Sequence, residues 1–293
     1  MLVIFTIEMK NLSEHQKGIL YVFTAALLWS SGGLFIKLIS LNAMQLSFFR
    51  CSIAAITFAI IFKKRILLFN KLSLINSFIY AIVLITFVIA TKTTTAANAI
   101  FLQSTAPIYV LIFEPIFNKT KYERINIITV AVCVLGMILF FVGKLEPGHL
   151  EGNFVALISG ITFAAFFLGM KQNDHKYQQS SIFWGNVLVA MICIPFLTSI
   201  ELISFSDLWM VSFLGVFQIA TAYAFFASGL KRVIAVEASI ISMVEPVLNP
   251  VWVFIGYGET PSITAIIGGL IILTAIVVRS LITQTSIKSK FSF

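Results

Sequence analysis

Charge is what this sequence has least of. Asp, Glu, Lys and Arg make up 11% of its 293 residues, while apolar side chains make up 59%. Soluble domains carry about a quarter charged residues, and a globule in water cannot hide so much apolar area. Lipid is therefore the solvent for most of the chain. Histidine and cysteine are sparse as well. His15, His149 and His175 lie far apart in polar connections, and Cys51, Cys133 and Cys193 each sit within an apolar run. An odd set of embedded thiols reads as small packing residues, not as a disulfide framework. Nowhere do His, Cys, Asp and Glu take metal-ligand spacing, so no metal site is expected.

The missing motifs exclude whole function classes. There is no glycine-rich phosphate loop, no Gly-x-Ser-x-Gly elbow and no His-Glu-x-x-His pair. No histidine lies within an apolar run, where it might activate a serine. Neither an enzyme nor a cofactor is expected, and without a nucleotide-binding domain ATP cannot power the chain directly. The formal charge of +8 does not point to nucleic acid. Its cations fall in short connections between apolar runs, which is the signal for membrane orientation.

What is present is a series of ten apolar segments, each close to the ~20 residues a spanning helix needs. They run Gly18 to Ile39, Ala43 to Phe62, Leu72 to Ala90, Ala96 to Phe117 and Ile125 to Val142. After a connection from Gly143 to Gly152 come Asn153 to Met170, Ser181 to Ile200, Leu208 to Leu230, Val233 to Gly256 and Ser262 to Ile282. With the N-terminus inside, only Lys37, Lys92 and Lys144 lie at outer ends and Arg50 lies within a span; the other Lys and Arg fall on the inner side. That asymmetry places both termini in the cytoplasm. The start, MLVIFTIEMK, is apolar only briefly, is broken by Glu8 and has no basic region before it. It reads as a cytoplasmic tail rather than a signal peptide, with Met9 a second candidate start.

The stretch Ala235 to Glu259 organises the rest. It is long enough to cross a membrane, yet it holds Glu245 near its middle, followed by Pro246, Asn249 and Pro250. Lipid satisfies neither a carboxylate nor the carbonyls that a proline frees, so both must face a cavity or another helix. The first half carries a faint twin. Lys92, Ala96, Ala99 and Pro107 recur without a gap, 139 positions on, as Lys231, Ala235, Ala238 and Pro246. A repeat unit of five spans is odd, so its second copy would enter the membrane from the opposite side. Residues 1–143 and 152–293 are then two inverted five-helix repeats of one all-α integral membrane protein, with a binding site expected near the midplane.

Four runs carry a resemblance: AALLWSSGGLFIKL in the first span, LSFFRCSIAA in the second, ANAIFLQSTAPIYVLIF in the fourth and VEASIISMVEPVLNPVWVFIGYGE in the ninth. Together they resemble EamA-type carriers of the drug/metabolite transporter superfamily, from about Gly18 to Ile282. The resemblance implies a ten-helix carrier of small metabolites in two five-helix halves. It singles out Trp29, Lys37, Arg50, Pro107, Glu245, Pro246 and Glu259. Thr120 stands where such chains often carry the acidic counterpart of Glu259, so a symmetric role for that glutamate does not transfer.

Each candidate has a bland and a sharp reading. Glu245 lies 12 positions into its span, ~18 Å at ~1.5 Å per residue, too deep in a ~30 Å layer to reach water. It is either a neutral acid tethering two helices or a protonatable group in a transport pathway. Arg50 is either a snorkelling anchor or a fixed cation for a substrate carboxylate. Lys37 is expected to snorkel, and Glu114 to reach water at the inner end of its span. Ser30 to Gly33, Gly160 and Ala164 read as close-packing residues, with a local break as the alternative. Pro107, Pro246 and Pro250 are expected helix breaks. Trp29, Tyr80, Gln103, Tyr109, Gln218 and Tyr223 are the other candidates to line a cavity.

A multi-pass secondary transporter (permease) of the cell membrane is the leading expectation, with a channel or a non-transporting membrane protein as the alternatives. An arginine and a buried glutamate together suit a zwitterion such as an amino acid, or a related small carboxylate. Beyond that substrate and the lipid bilayer, protons are the expected coupling partner, and nucleic acid is not a partner.

Overall fold

Local side-chain chemistry sets where the first helices begin. Ser13 opens α1 (Glu14–Trp29) with a capping box: its hydroxyl accepts from the Gln16 N–H, and the Gln16 side chain accepts from the Ser13 N–H. Asn42 with Gln45 does the same for α3 (Ala43–Phe62), and Asn70 with Ser73 for α4 (Lys71–Thr93). Each box satisfies backbone donors that the first helical turn leaves free. The computed structural model describes residues 12–142, 150–197, 203–257 and 262–290. The N-terminal tail through Lys10, the connection holding Lys144 and His149, the end of the seventh segment and Glu259 lie outside them.

The remaining helices are α2 (Gly32–Leu38), α5 (Ala96–Gln103), α6 (Ala106–Asn118), α7 (Arg124–Phe141), α8 (Leu150–Gln172), α9 (Gln178–Cys193), α10 (Phe205–Phe213), α11 (Ala222–Leu230), α12 (Ala235–Ser242), α13 (Val244–Tyr257) and α14 (Ile263–Lys290). Among the described residues, nine segments are long and apolar enough to cross a membrane. The one further expected segment is occupied by α12 and α13. Large apolar side chains such as Ile60, Phe78, Ile116, Leu135 and Leu270 are exposed around the outside, as a bundle dissolved in lipid requires.

Helices from the two halves of the sequence pack on each other. α4 lies against α8 and α9, α1 against α11, and α7 against α14. The last pair touches backbone to backbone: a Cβ on Gly268 would sit 2.5 Å from the Gly136 carbonyl oxygen. With no water to drive helices together, such close approach supplies much of the adhesion.

Four of the spans are irregular. The first is interrupted at Ser30–Ser31, the fourth at Ser104–Thr105 and the ninth at Met243. The eighth widens into a π-helical stretch, Leu214–Thr221, where the Thr221 hydroxyl donates to the Val216 carbonyl at 2.8 Å. Pro107 and Pro246 stand just after their interruptions, in the first turns of α6 and α13, where a missing N–H costs nothing. Two expectations are corrected here. Ser30 and Ser31 mark a real break rather than plain packing, and Pro250 does not break its helix, because α13 runs through it.

Candidate functional site

The irregular turns meet at one level. Two narrow cavities share Gln103, Phe163 and Glu245 as common walls. One, with about 330 Å³ of atom-free space, adds Trp29, Arg50, Gln218 and Tyr223; the other, with about 300 Å³, adds Pro107, Ser239 and Ser242. Each interruption delivers a side chain to this place: Trp29 from the end of α1, Gln103 from the end of α5, Gln218 from the π stretch and Glu245 from the first turn of α13.

Several polar groups around the cavity are left without partners. The Arg50 guanidinium, 1% exposed, donates from Nη2 to the Leu84 carbonyl at 2.9 Å, while its Nε has no acceptor. Trp29 Nε1 and Gln218 Oε1 are also buried without partners. Gln103 donates to the Ser159 hydroxyl at 2.8 Å. No hydrogen bond or ion pair reaches the Glu245 carboxylate from the described residues. Arg50 and Glu245 thus face one cavity without forming an ion pair. Buried polar groups normally find partners; these three share that lack with groups elsewhere in the core, such as Ser47, Asn76 and Asn186, but here they line one cavity together with Glu245.

An aromatic wall frames these groups. The Trp29 ring lies 4.8 Å from Tyr223 and 5.7 Å from Phe163 between centroids. Tyr80 sits one layer back, stacked 4.7 Å from Phe166 and edge-on 4.7 Å from Tyr223, and does not line the cavity. Tyr109 is elsewhere altogether, on a side groove beside Leu72 and Phe113.

Two further expectations change. Arg50 is packed inside the protein, so it is not a snorkelling anchor. Lys37 is exposed, as expected of a snorkelling lysine, and its ammonium also donates to the Thr94 carbonyl at 2.8 Å. Glu114 is 1% exposed and accepts the N–H groups of Ala235 and Val236, both at 2.7 Å. The reason is local: Ile234 precedes α12 and has no side-chain acceptor to cap it, so a carboxylate from α6 fills that role and also favours the positive helix end.

Sequence reasoning also missed residues. Ser30 receives Trp252 Nε1 on its hydroxyl at 2.7 Å and Asn249 Nδ2 on its carbonyl at 3.1 Å, so α13 supplies the bonds that the first break leaves open. Towards the end of the bundle that holds α1's start, Glu237 forms a buried ion pair with Arg279, and its carboxylate accepts from His15 Nε2 at 2.9 Å; Arg279 Nε donates to Asn126 at 2.9 Å. The signal was available: a carboxylate and a guanidinium placed inside apolar segments have to pair.

Comparison with other proteins agrees with this architecture. The chain matches the EamA-like transporter family over residues 16–142 and again over 150–281. An "Uncharacterized transporter" of Archaeoglobus fulgidus is 26% identical over 194 residues, covering 66% of this chain and 70% of that protein. One of Clostridium kluyveri is 22% identical over 210 residues, covering 67% and 65%. The "Uncharacterized transporter YdfC" of Bacillus subtilis is 24% identical over 190 residues, covering 62% of each. A solved crystal structure superposes with a TM-score of 0.78 over 92% of this chain and 98% of the other, at 16% identity, and so shares the fold. With two family matches that together take in nearly all of its apolar segments, the chain belongs to the EamA-like transporter family and is a multi-pass transporter of the cell membrane.

Proposed function

We propose that this chain is a proton-coupled secondary transporter that moves a small zwitterion or carboxylate, of the amino-acid class, by alternating access. The observation that carries the reading is the cavity where four irregular helices converge with an unpaired carboxylate and an incompletely bonded guanidinium. Interrupted spanning helices offer free backbone groups and helix ends to a ligand at mid-depth, and π turns recur at functional sites. In this reading Arg50 takes the substrate carboxylate, Glu245 takes the ammonium or a proton, and Trp29, Gln103, Gln218 and Tyr223 shape the rest of the pocket, with Tyr80 supporting Tyr223 from behind. The cavity is narrow as it stands, so it must open to one side or the other to load.

Ten spans in two inverted five-helix halves, with both termini cytoplasmic, complete the proposal. Its supports are the position of α12 and α13, the repeated interruption before Pro107 and Pro246, and the concentration of Lys and Arg at one end. A channel is disfavoured by the closed, aromatic-walled site. The test is exchange in proteoliposomes loaded with labelled amino acids: uptake that saturates and is accelerated by unlabelled substrate on the far side supports a carrier. Flux that rises linearly with concentration and ignores the far side would refute it.

A further inference from the structure

Each half of the sequence carries a lysine at the C-terminal end of its first span, and both lysines bind the same kind of joint. Lys37 Nζ donates to the Thr94 carbonyl at 2.8 Å. Lys171 Nζ donates to the Val233 carbonyl at 2.7 Å and to the Leu230 carbonyl at 2.9 Å. Thr94 and Val233 are 139 positions apart, the spacing that relates Pro107 to Pro246. Both carbonyls lie in the short joint from which an interrupted helix, α5 or α12, sets out towards the cavity. An ammonium on carbonyls at the end of a helix is charge-assisted and aligned with the helix dipole.

The opposite half presses on the same joints. A Cβ on Gly18 would lie 2.7 Å from Arg232 Cβ and 2.9 Å from Val233 Cγ1; a Cβ on Gly152 would lie 2.8 Å from Thr93 Oγ1 and 2.9 Å from Thr94 Cβ. Gly18 and Gly152 are 134 positions apart, as are Lys37 and Lys171. At either end of the bundle, one joint is therefore gripped between a lysine of its own half and a glycine-bearing helix start of the other. The grips are balanced. Lys92 adds a bond to the Ile39 carbonyl at 2.6 Å beside Lys37; Lys231, its counterpart, makes none among the described residues, but Lys171 takes two carbonyls. An open cleft lined by Lys171, Lys231, Arg232 and Val233 lies beside the second joint, while the cavity between the two joints is narrow.

We propose that Lys37 and Lys171 are positioning residues for the transport cycle, a pair of end latches that release in opposite phase. Releasing Lys37 frees the Thr94 joint and lets α5 swing away from the helix start at Gly152; releasing Lys171 frees the Val233 joint and lets α12 swing away from Gly18. The inference rests on the alternating-access reading and adds what holds each end shut.

The test uses the full chain with Cys51, Cys133 and Cys193 replaced by alanine and a reporter, Ser104→Cys, in the cavity wall. Labelling by a membrane-impermeant maleimide is timed in right-side-out and in inverted vesicles. Lys37→Met should speed labelling from outside and slow it from inside, shifting the ratio about ten-fold or more for one lost charge-assisted bond. Lys171→Met should shift it the other way. The double variant should return to the wild-type ratio, which a folding defect cannot do, and Lys→Arg at either position should hold it. A mirror-image result keeps the latches and reverses the orientation. Unchanged ratios in both single variants, with the wild-type reporter reached from either face, overturn the latches and leave alternating access standing. Labelling that rises from both faces at once overturns alternating access itself.

Discussion

Replacing Glu245 by glutamine separates a proton carrier from a structural acid. Among the described residues Glu245 is the one carboxylate lining the central cavities, so one proton per cycle is the most it can deliver. One proton across one unit of pH difference is worth about 1.4 kcal/mol, which supports about ten-fold accumulation of a substrate that carries no other net charge. Glutamine keeps the size of the protonated acid but releases no proton. No hydrogen bond from the described residues is lost with the carboxylate, so the melting temperature in detergent should move little. The assay is accumulation of labelled amino acids in proteoliposomes under an imposed pH gradient, wild type against Glu245→Gln at equal protein. Accumulation should fall from about ten-fold per pH unit towards none, while exchange between equal concentrations on the two sides persists. Equal accumulation in both proteins would refute proton coupling through this residue. A large drop in melting temperature would instead make it a tether.

Arg50→Lys cannot reproduce the guanidinium fork; it should weaken substrate affinity by roughly ten-fold to a hundred-fold, the value of one charge-assisted bond, as read from the substrate concentration that half-saturates exchange. Glu114→Gln removes the charge from an acceptor of two buried N–H groups and should destabilise the protein by about 1.5–3 kcal/mol, seen as an earlier unfolding transition in detergent; an unchanged transition would mean α12 finds another cap. For topology, Glu151→Cys in a chain without its native cysteines should react with an impermeant maleimide added outside, and Lys121→Cys only in inverted vesicles. Both reacting from one side would end the scheme of inverted halves.

Much of the site could be read from the chain because charge in lipid is expensive. Glu245 and Arg50 stood out as ionisable groups inside apolar segments, and the structure brings both to one cavity, with Trp29, Gln103, Gln218 and Tyr223 around it. The same reasoning failed where it assumed water was within reach. Glu114 looked interfacial by depth alone, yet it is absorbed by backbone groups that no pattern of side chains reveals, the uncapped start of α12. Tyr80 and Tyr109 were indistinguishable from Tyr223 as mid-depth tyrosines. Which face of a helix each occupies depends on its neighbours, and those differ.

Composition and spacing by themselves determined the solvent and the class of fold: an apolar fraction of 59% with so little charge admits only segments that satisfy their own backbone hydrogen bonds, and hence helices. The family was legible only as a resemblance of four runs. Prolines 139 positions apart marked the two interrupted spans. Tertiary structure alone decided that the first span also breaks, that the eighth widens, and that Pro250 does neither. A break survives in lipid only if another helix supplies the lost partners, as Asn249 and Trp252 do for Ser30, and that supply comes from 219 residues away along the chain.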